Sequence, residues 1–257
     1  MNLLPLQSGI LYGPIDSRRL GKSLGINLMP TGYKLCSFNC IYCHYGWTDV
    51  HAFDAKKFID DLPRFDDVAS AVESALRSNL KFDYLTFSGN GEPTLYPEFA
   101  SLVEEIARVR DRCRPEMKIA LLSNSSGLSV PEVKKSIVHI DMPVFKLDAG
   151  TERVFERINR PCPGVSFEDI LSNLQSLSGI MIQTVLVKGD PDNVKKENLN
   201  EYFSKIAEVR PRSVHIYSID RPVPNASIRR IVPDELERIA ELGTGVTGVP
   251  FKPFFIR

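Results

Sequence analysis

The sequence predicts an α/β fold, a parallel sheet covered by helices, arranged as a partial (β/α)6 TIM-like barrel. Three observations predict it. Short, nearly unbroken apolar runs of strand length recur about six times, as fully buried parallel strands do. Segments with apolar residues at helical spacing separate them. Several runs end in Gly-, Asn-, Ser- or Asp-rich loops, the positions where such domains build their sites. A full barrel needs eight strand–helix units. The shorter count fits a partial barrel, and an open doubly wound sheet has the same periodicity.

The elements follow in order. Leu24 to Leu28 is the first strand run, and it leads into the loop at 30–50. Val68, Val72, Ala75 and Leu76 share one helical face. Tyr84 to Phe87 reads as a buried strand ending in SGNGEP, and Phe99, Leu102, Val103 and Ile106 mark the next helix. Ile119 to Leu122 is a strand ending in SNSSG, followed by a helix from Pro131 with Val133 and Ile137 inward. Val144 to Leu147 is a strand ending at Asp148, and Thr151 caps a short helix burying Val154, Phe155 and Ile158. Ser166 followed by Asp169 resembles a capping box, with Phe167, Ile170, Leu171 and Leu174 inward. Ile180 to Val187 is the strongest strand signal, Leu199, Phe203 and Ile206 mark a helix, and Val214 to Ile219 is the next strand. The helix at 234–241 is the last one the pattern supports. Residues 221–233 and the tail from Gly243 show neither periodicity. The first follows a strand and is a candidate lid.

No linker, repeat or low-complexity tract divides the chain, so residues 1–257 are expected to form one domain. Its core covers about 20–220, with an N-terminal arm and a C-terminal lid and tail. Composition is that of an ordinary globular protein, with 43% apolar and 25% charged residues. Thirty-two basic residues balance 32 acidic ones, so no global field draws the chain to nucleic acid or anionic membrane. No apolar run approaches the ~20 residues that span a bilayer, and the residues from Met1 are not expected to act as a secretory signal. A cytoplasmic location is expected, where thiols stay reduced, so the five cysteines point to metal or redox chemistry before disulfides.

Three of those cysteines form Cys36-Ser-Phe-Asn-Cys40-Ile-Tyr-Cys43. Core cysteines do not cluster in this way, and three metal readings compete. Three thiolates on a short loop suit three corners of a [4Fe–4S] cluster, leaving one iron open. Cys36, Cys40, Cys43 and His44 would make a Cys3His zinc set, although adjacent ligands strain a tetrahedral site. Cys40 to His44 also matches the CxxCH of haem attachment, which leaves Cys36 without a role.

The CxxxCxxC loop, with Tyr42 before its last cysteine, resembles the radical S-adenosylmethionine (SAM) superfamily. Phe87-Ser-Gly-Asn-Gly-Glu-Pro93 closes the next strand, where that superfamily has a Gly-Gly-Glu motif. The stretches GPIDSRRLGKSLGINLMP, SFNCIYCHYGWTD, FSGNGEPTLYPEF and KLDAGTERVFERINRP resemble a subgroup of short proteins related to the wyosine-tRNA synthetases. The resemblance implies an enzyme with a [4Fe–4S] cluster on Cys36, Cys40 and Cys43 and SAM chelated at the open iron. Reductive cleavage of SAM would give a 5′-deoxyadenosyl radical that abstracts hydrogen from a substrate. It places Tyr42 at the adenine, and Gly89, Asn90, Gly91 and Glu92 at the methionyl amino group. Ser123 and Asn124 fit the methionyl carboxylate or, equally, a turn. Asp148, with Lys146 nearby, fits the ribose or a helix cap, and Gln183 and Lys188 are weaker candidates.

No catalytic residue acting on substrate is legible. Arg18, Arg19, Lys22, Arg221, Arg229 and Arg230 suit a small-molecule or nucleotide-like anionic substrate if they converge, and are otherwise scattered surface charge. His44, Trp47 and His51 follow the cluster loop and suit the substrate side, while His139 and His215 read as packing or surface residues. A flavodoxin- or ferredoxin-type electron donor is implied. The tRNA-modifying relatives carry extra cysteines upstream for a second cluster, but none precedes Cys36 here, and Cys113 and Cys162 read as ordinary thiols. The wyosine reaction therefore does not transfer. Two further readings remain: a non-enzymatic zinc-stabilised RNA-binding module, and a radical SAM enzyme acting on a peptide with Phe251, Phe254 and Phe255 as a docking element.

Overall fold

A computed structural model describes residues 3–255. The chain divides into two compact units. The N-terminal unit holds residues 6–37 and 48–143, and the C-terminal unit holds 38–47 and 144–255 together with residues 3–5.

In the N-terminal unit, β1 (Leu11–Ser17) and β2 (Gly21–Ile26) pair antiparallel. After the two-residue strands β3 (Leu35–Cys36) and β4 (Val50–His51) come β5 (Tyr84–Phe87) and β6 (Lys118–Ser123), which extend the sheet in parallel in the order β1-β2-β5-β6. Register places Leu24 beside Leu85 and Leu85 beside Ile119. α1 (Phe65–Arg77) buries Val68, Val72 and Leu76, and α2 (Phe99–Cys113) buries Leu102, Val103 and Ile106, the faces their spacing predicts. Phe87 and Phe99 meet edge to face at 5.5 Å. The short α3 (Pro131–Ser136) buries Val133.

The C-terminal unit carries a second all-parallel run, β7 (Met142–Lys146), β8 (Met181–Val185), β10 (Ser213–Tyr217) and β12 (Phe251–Phe254), in that order. Thr151 accepts from the Val154 amide at the start of α4 (Glu152–Ile158), and Ser166 accepts from the Asp169 amide at the start of α5 (Phe167–Gln175), the two caps read from sequence. α6 (Lys196–Val209) buries Tyr202 and Phe203, and α7 (Pro233–Thr247) buries Leu236 and Ile239.

Three segments differ from expectation. The N-terminal arm holds an edge strand, β1, whose Gly-Pro interruption and register shift erase any alternation. The candidate lid at 221–233 contains β11 (Ile228–Arg230), paired antiparallel with β9 (Val187–Gly189), and Ile231 donates its amide to Ser218 Oγ at 2.8 Å. The tail is a sheet strand. Phe251 packs among Tyr202 and Phe203, and His215 lies 5.0 Å from the Phe254 ring, so His215 is a packing residue. Among the described residues, no helix is long and apolar enough to cross a membrane.

Candidate functional site

None of Cys36, Cys40 and Cys43 is in a disulfide. Cys36 ends β3, whose departure is fixed by the loop after β5. Leu35 donates its amide to the Asn90 carbonyl, and Glu92 donates its amide to the Leu35 carbonyl, both at 3.3 Å. A Cβ on Gly91 would lie 1.7 Å from the Leu35 carbonyl oxygen, so only glycine permits this approach. Gly89 has a left-handed φ of +131°, and a Cβ there would meet Asn27 Oδ1 at 2.5 Å. The glycines expected to admit a ligand thus seat the start of the cysteine loop against the strand end.

Asn90 is fully buried. Its side chain accepts from the Gln7 amide and donates to the Gln7 and Pro30 carbonyls at 2.7–2.9 Å, so it braces the chain. Glu92, 2% exposed, accepts from the Thr94 amide (3.1 Å), Thr94 Oγ1 (2.6 Å), Ser123 Oγ (2.8 Å) and the Asn124 amide (2.6 Å). It joins the ends of β5 and β6. Burial raises its pKa above the ordinary value, outweighing the donors that favour the carboxylate. Ser123 is therefore spent on Glu92. The Asn124 amide nitrogen Nδ2 donates to Ser37 Oγ (2.8 Å) and to Cys36 Sγ (3.6 Å). His51 contacts the Ser37 carbonyl at 3.2 Å.

In the C-terminal unit, residues 38–41 run along the end of α4. The Asn39 amide donates to the Asn159 and Arg160 carbonyls, and the Ile41 amide to the Ile158 carbonyl, all at 3.0 Å. Phe38 packs against Phe155 at 5.3 Å, burying the loop's apolar residue. Tyr42, 7% exposed, donates a short hydrogen bond to Asp148 Oδ2. Asp148 also accepts from Asn159 Nδ2 at 2.7 Å and from the Val185 amide at 2.7 Å. Asp148 is thus an organiser of Tyr42 and of the end of β8 and does not cap α4. Burial, with Asp148 and Cys40 adding to it, raises the Tyr42 pKa well above the tyrosine range and keeps the hydroxyl protonated.

Lys146 Nζ lies 4.6 Å from the Tyr42 ring centre, 5.2 Å from that of Tyr217, 3.2 Å from the Tyr217 hydroxyl and 3.5 Å from Asp148 Oδ1. Burial alone would depress its pKa, but Asp148 and Tyr217 raise it overall and the ammonium stays charged. Gln183, its register partner on β8, donates to the Tyr217 hydroxyl at 2.5 Å. Asn159 and Tyr217 are site residues that sequence reasoning missed. Asn159 lies in the INRP segment already singled out, yet nothing there marked it as chemical. His44 faces Asp220 at 3.9 Å, and Arg160 lies 4.8 Å over the exposed Trp47 ring. Lys188 pairs with Glu235 at the surface.

The donor set fits an iron–sulfur cluster: three unbridged thiols on one loop, two of them already receiving amide N–H groups. Two buried acceptors, Asn159 Oδ1 and Gln183 Oε1, have no partner among the described residues, which suits a polar organic ligand bringing its own donors. Among the described residues, no three His, Cys, Asp or Glu side chains gather round one point as a single-ion site needs. Thiolates bound to separate corners of a cubane are not required to converge in that way.

Residues 32–209 match the model of the Radical SAM superfamily, and the chain belongs to that superfamily. More particularly, it is 30% identical over 239 residues to the UPF0026 protein MJ1312 of Methanocaldococcus jannaschii, covering 91% of this chain and 70% of that one. It is 28% identical over 238 residues to a Brachyspira hyodysenteriae protein named GTPase Obg, and spans only 33% of that relative's length. Among solved structures, a radical SAM methyltransferase from Sphaerobacter thermophilus aligns with TM-score 0.63 at 14% identity, over 91% of this chain and 66% of that one. Archaeal TYW1 aligns with TM-score 0.53 at 13% identity, over 88% of this chain and 72% of that one. These structures share the α/β partial-barrel fold read from the sequence.

Proposed function

We propose that this chain is a radical SAM enzyme that holds a [4Fe–4S] cluster on Cys36, Cys40 and Cys43 and binds S-adenosylmethionine beside it. The observation that carries the reading is the C-terminal network in which Asn159 joins Cys40 to Tyr42 and Asp148. It couples a thiol of the loop to Asp148 after β7, which in turn accepts from the Val185 amide at the end of β8. When bound, cluster and SAM together supply a hydrogen-abstracting organic radical. The chain's own residues do the rest. Gly91 and Glu92 seat the loop's start and tie strand ends together, and Asn124 holds Ser37 and the Cys36 sulfur. Asp148 fixes the Tyr42 hydroxyl, and Lys146 is held as an ammonium between Asp148 and the Tyr42 and Tyr217 rings. That cation supports an anionic, small or nucleotide-like substrate. Of the phenylalanines in the peptide reading, Phe251 is buried against Tyr202 and Phe203, while Phe254, in β12, and Phe255 are half-buried.

Anaerobic EPR of the reconstituted, reduced protein with and without SAM tests the reading. A [4Fe–4S]⁺ signal that changes on SAM addition, with 5′-deoxyadenosine released, supports it. A signal indifferent to SAM removes the radical mechanism. A colourless protein with stoichiometric zinc replaces it with the metal-stabilised binding module.

A further inference from the structure

We infer that Asn159 is a positioning residue for the cluster ligand Cys40, its side-chain amide donating to the Cys40 sulfur and setting how readily the bound cluster accepts an electron. The inference rests on the radical SAM reading. Asn159 Nδ2 lies 2.7 Å from Asp148 Oδ2, 3.1 Å from the Tyr42 hydroxyl and 3.6 Å from Cys40 Sγ. The carboxylate only accepts, so it selects the NH2 edge of the amide, because the opposite flip would press two oxygens together. That choice leaves Oδ1 without a partner, as observed.

Two hydrogens then face three acceptors. Asp148 takes one at the shortest distance. Tyr42 gives its own proton to Asp148, so its oxygen competes with the Cys40 sulfur for the other. Asn159 is 1% exposed, so its own amide is shielded from water, while Cys40 is half-buried. The geometry is held from the backbone too, since the amides of Asn39 and Ile41, flanking Cys40, donate to carbonyls of residues 158–160. An N–H bond to a ligating sulfur withdraws charge and favours the reduced, more negative cluster, so it raises the reduction potential.

The test is an EPR-monitored potential titration of the anaerobically reconstituted full chain, with iron content measured alongside. Asn159→Leu keeps the volume and removes the donor. With wild-type iron content, its reduction equilibrium falls about threefold, near 28 mV negative at 59 mV per tenfold for one electron. Tyr42→Phe removes the competing acceptor and hands the hydrogen to sulfur, so its potential moves the other way. Shifts of opposite sign support the inference. Equal potentials in all three proteins, or shifts of the same sign, overturn it and leave Asn159 as a brace for Asp148. If Asn159→Leu fails to fold, the sign of the Tyr42→Phe shift decides alone. A wild-type chain without a cluster would instead sink the radical SAM reading itself.

Discussion

Replacing Glu92 by Gln tests whether this buried carboxyl is the clasp between the ends of β5 and β6. One of its oxygens takes the Thr94 amide and the Thr94 and Ser123 hydroxyls, and the other takes the Asn124 amide. Glutamine keeps the shape but turns one oxygen into a donor. If NH2 replaces Oε2, the Asn124 amide is stranded. If it replaces Oε1, the hydroxyls rotate to accept but the Thr94 amide is stranded. Either way one buried backbone N–H loses its acceptor, at a cost of about 1–3 kcal/mol. Thermal unfolding followed by circular dichroism should show Tm lowered by about 2–4 °C for each kcal/mol in a chain of this size. The pH dependence sharpens the test. Burial raises the folded pKa above the ordinary 4.5, so the folded state holds this proton more tightly than the unfolded chain. The carboxyl's titration thus contributes stability that is fully present below 4.5 and lost as pH rises through the folded value. The gap between wild type and Glu92→Gln should be widest at low pH and narrow as pH rises. A variant as stable as wild type, or a gap that ignores pH, would refute the clasp.

Replacing Cys36, Cys40 or Cys43 by Ala should abolish iron binding and SAM cleavage while leaving the circular dichroism spectrum unchanged, and full cleavage in any of them contradicts the ligand assignment. Gly91→Ala drives a methyl into the Leu35 carbonyl, so reconstituted iron per chain should fall by at least half; unaltered iron loading would mean that the loop anchor is soft. Asp148→Asn should release the Tyr42 hydroxyl and weaken SAM binding measured by calorimetry about tenfold, about 1.4 kcal/mol, whereas unchanged affinity removes Tyr42 from the ligand site. Phe251→Ala empties a pocket among Tyr202 and Phe203 and should cost about 3–5 kcal/mol in urea unfolding.

The strands and helices that were legible bury one continuous face or both. Val68, Val72 and Leu76 gave α1, and the Ile182 region gave β8, because burial imposes a period on sequence. β1, β11 and β12 escaped for the opposite reason. They are edge or hairpin strands with Pro14, exposed arginines or Pro253 in them, and β11 and β12 pair with strands far off in sequence. α7 runs past its expected end to Thr247 because Gly243 leaves room for the rings of Phe251 and Phe203, about 3 Å from where its Cβ would stand. In the candidate site, the residues carrying the motif were visible, but their tasks were not. Asn90 pairs with Gln7 across 83 positions, and Asn159 with Cys40 across 119, distances over which no spacing rule operates.

The pairing of β12 with β10 bears on how the protein can be handled. β10 reads Ser-Val-His-Ile-Tyr, with no acidic, lysine or arginine residue. With β8 on one side and β12 on the other, its backbone groups are satisfied within the sheet. Cutting the chain before Pro250 would bare the outer row of amides and carbonyls along this uncharged segment, which includes the β-branched Val214 and Ile216, the kind of edge on which chains pair and aggregate. A truncation meant to trim a loose end would thus exchange an edge strand carrying Lys252 and Pro253 for an uncharged template for self-association.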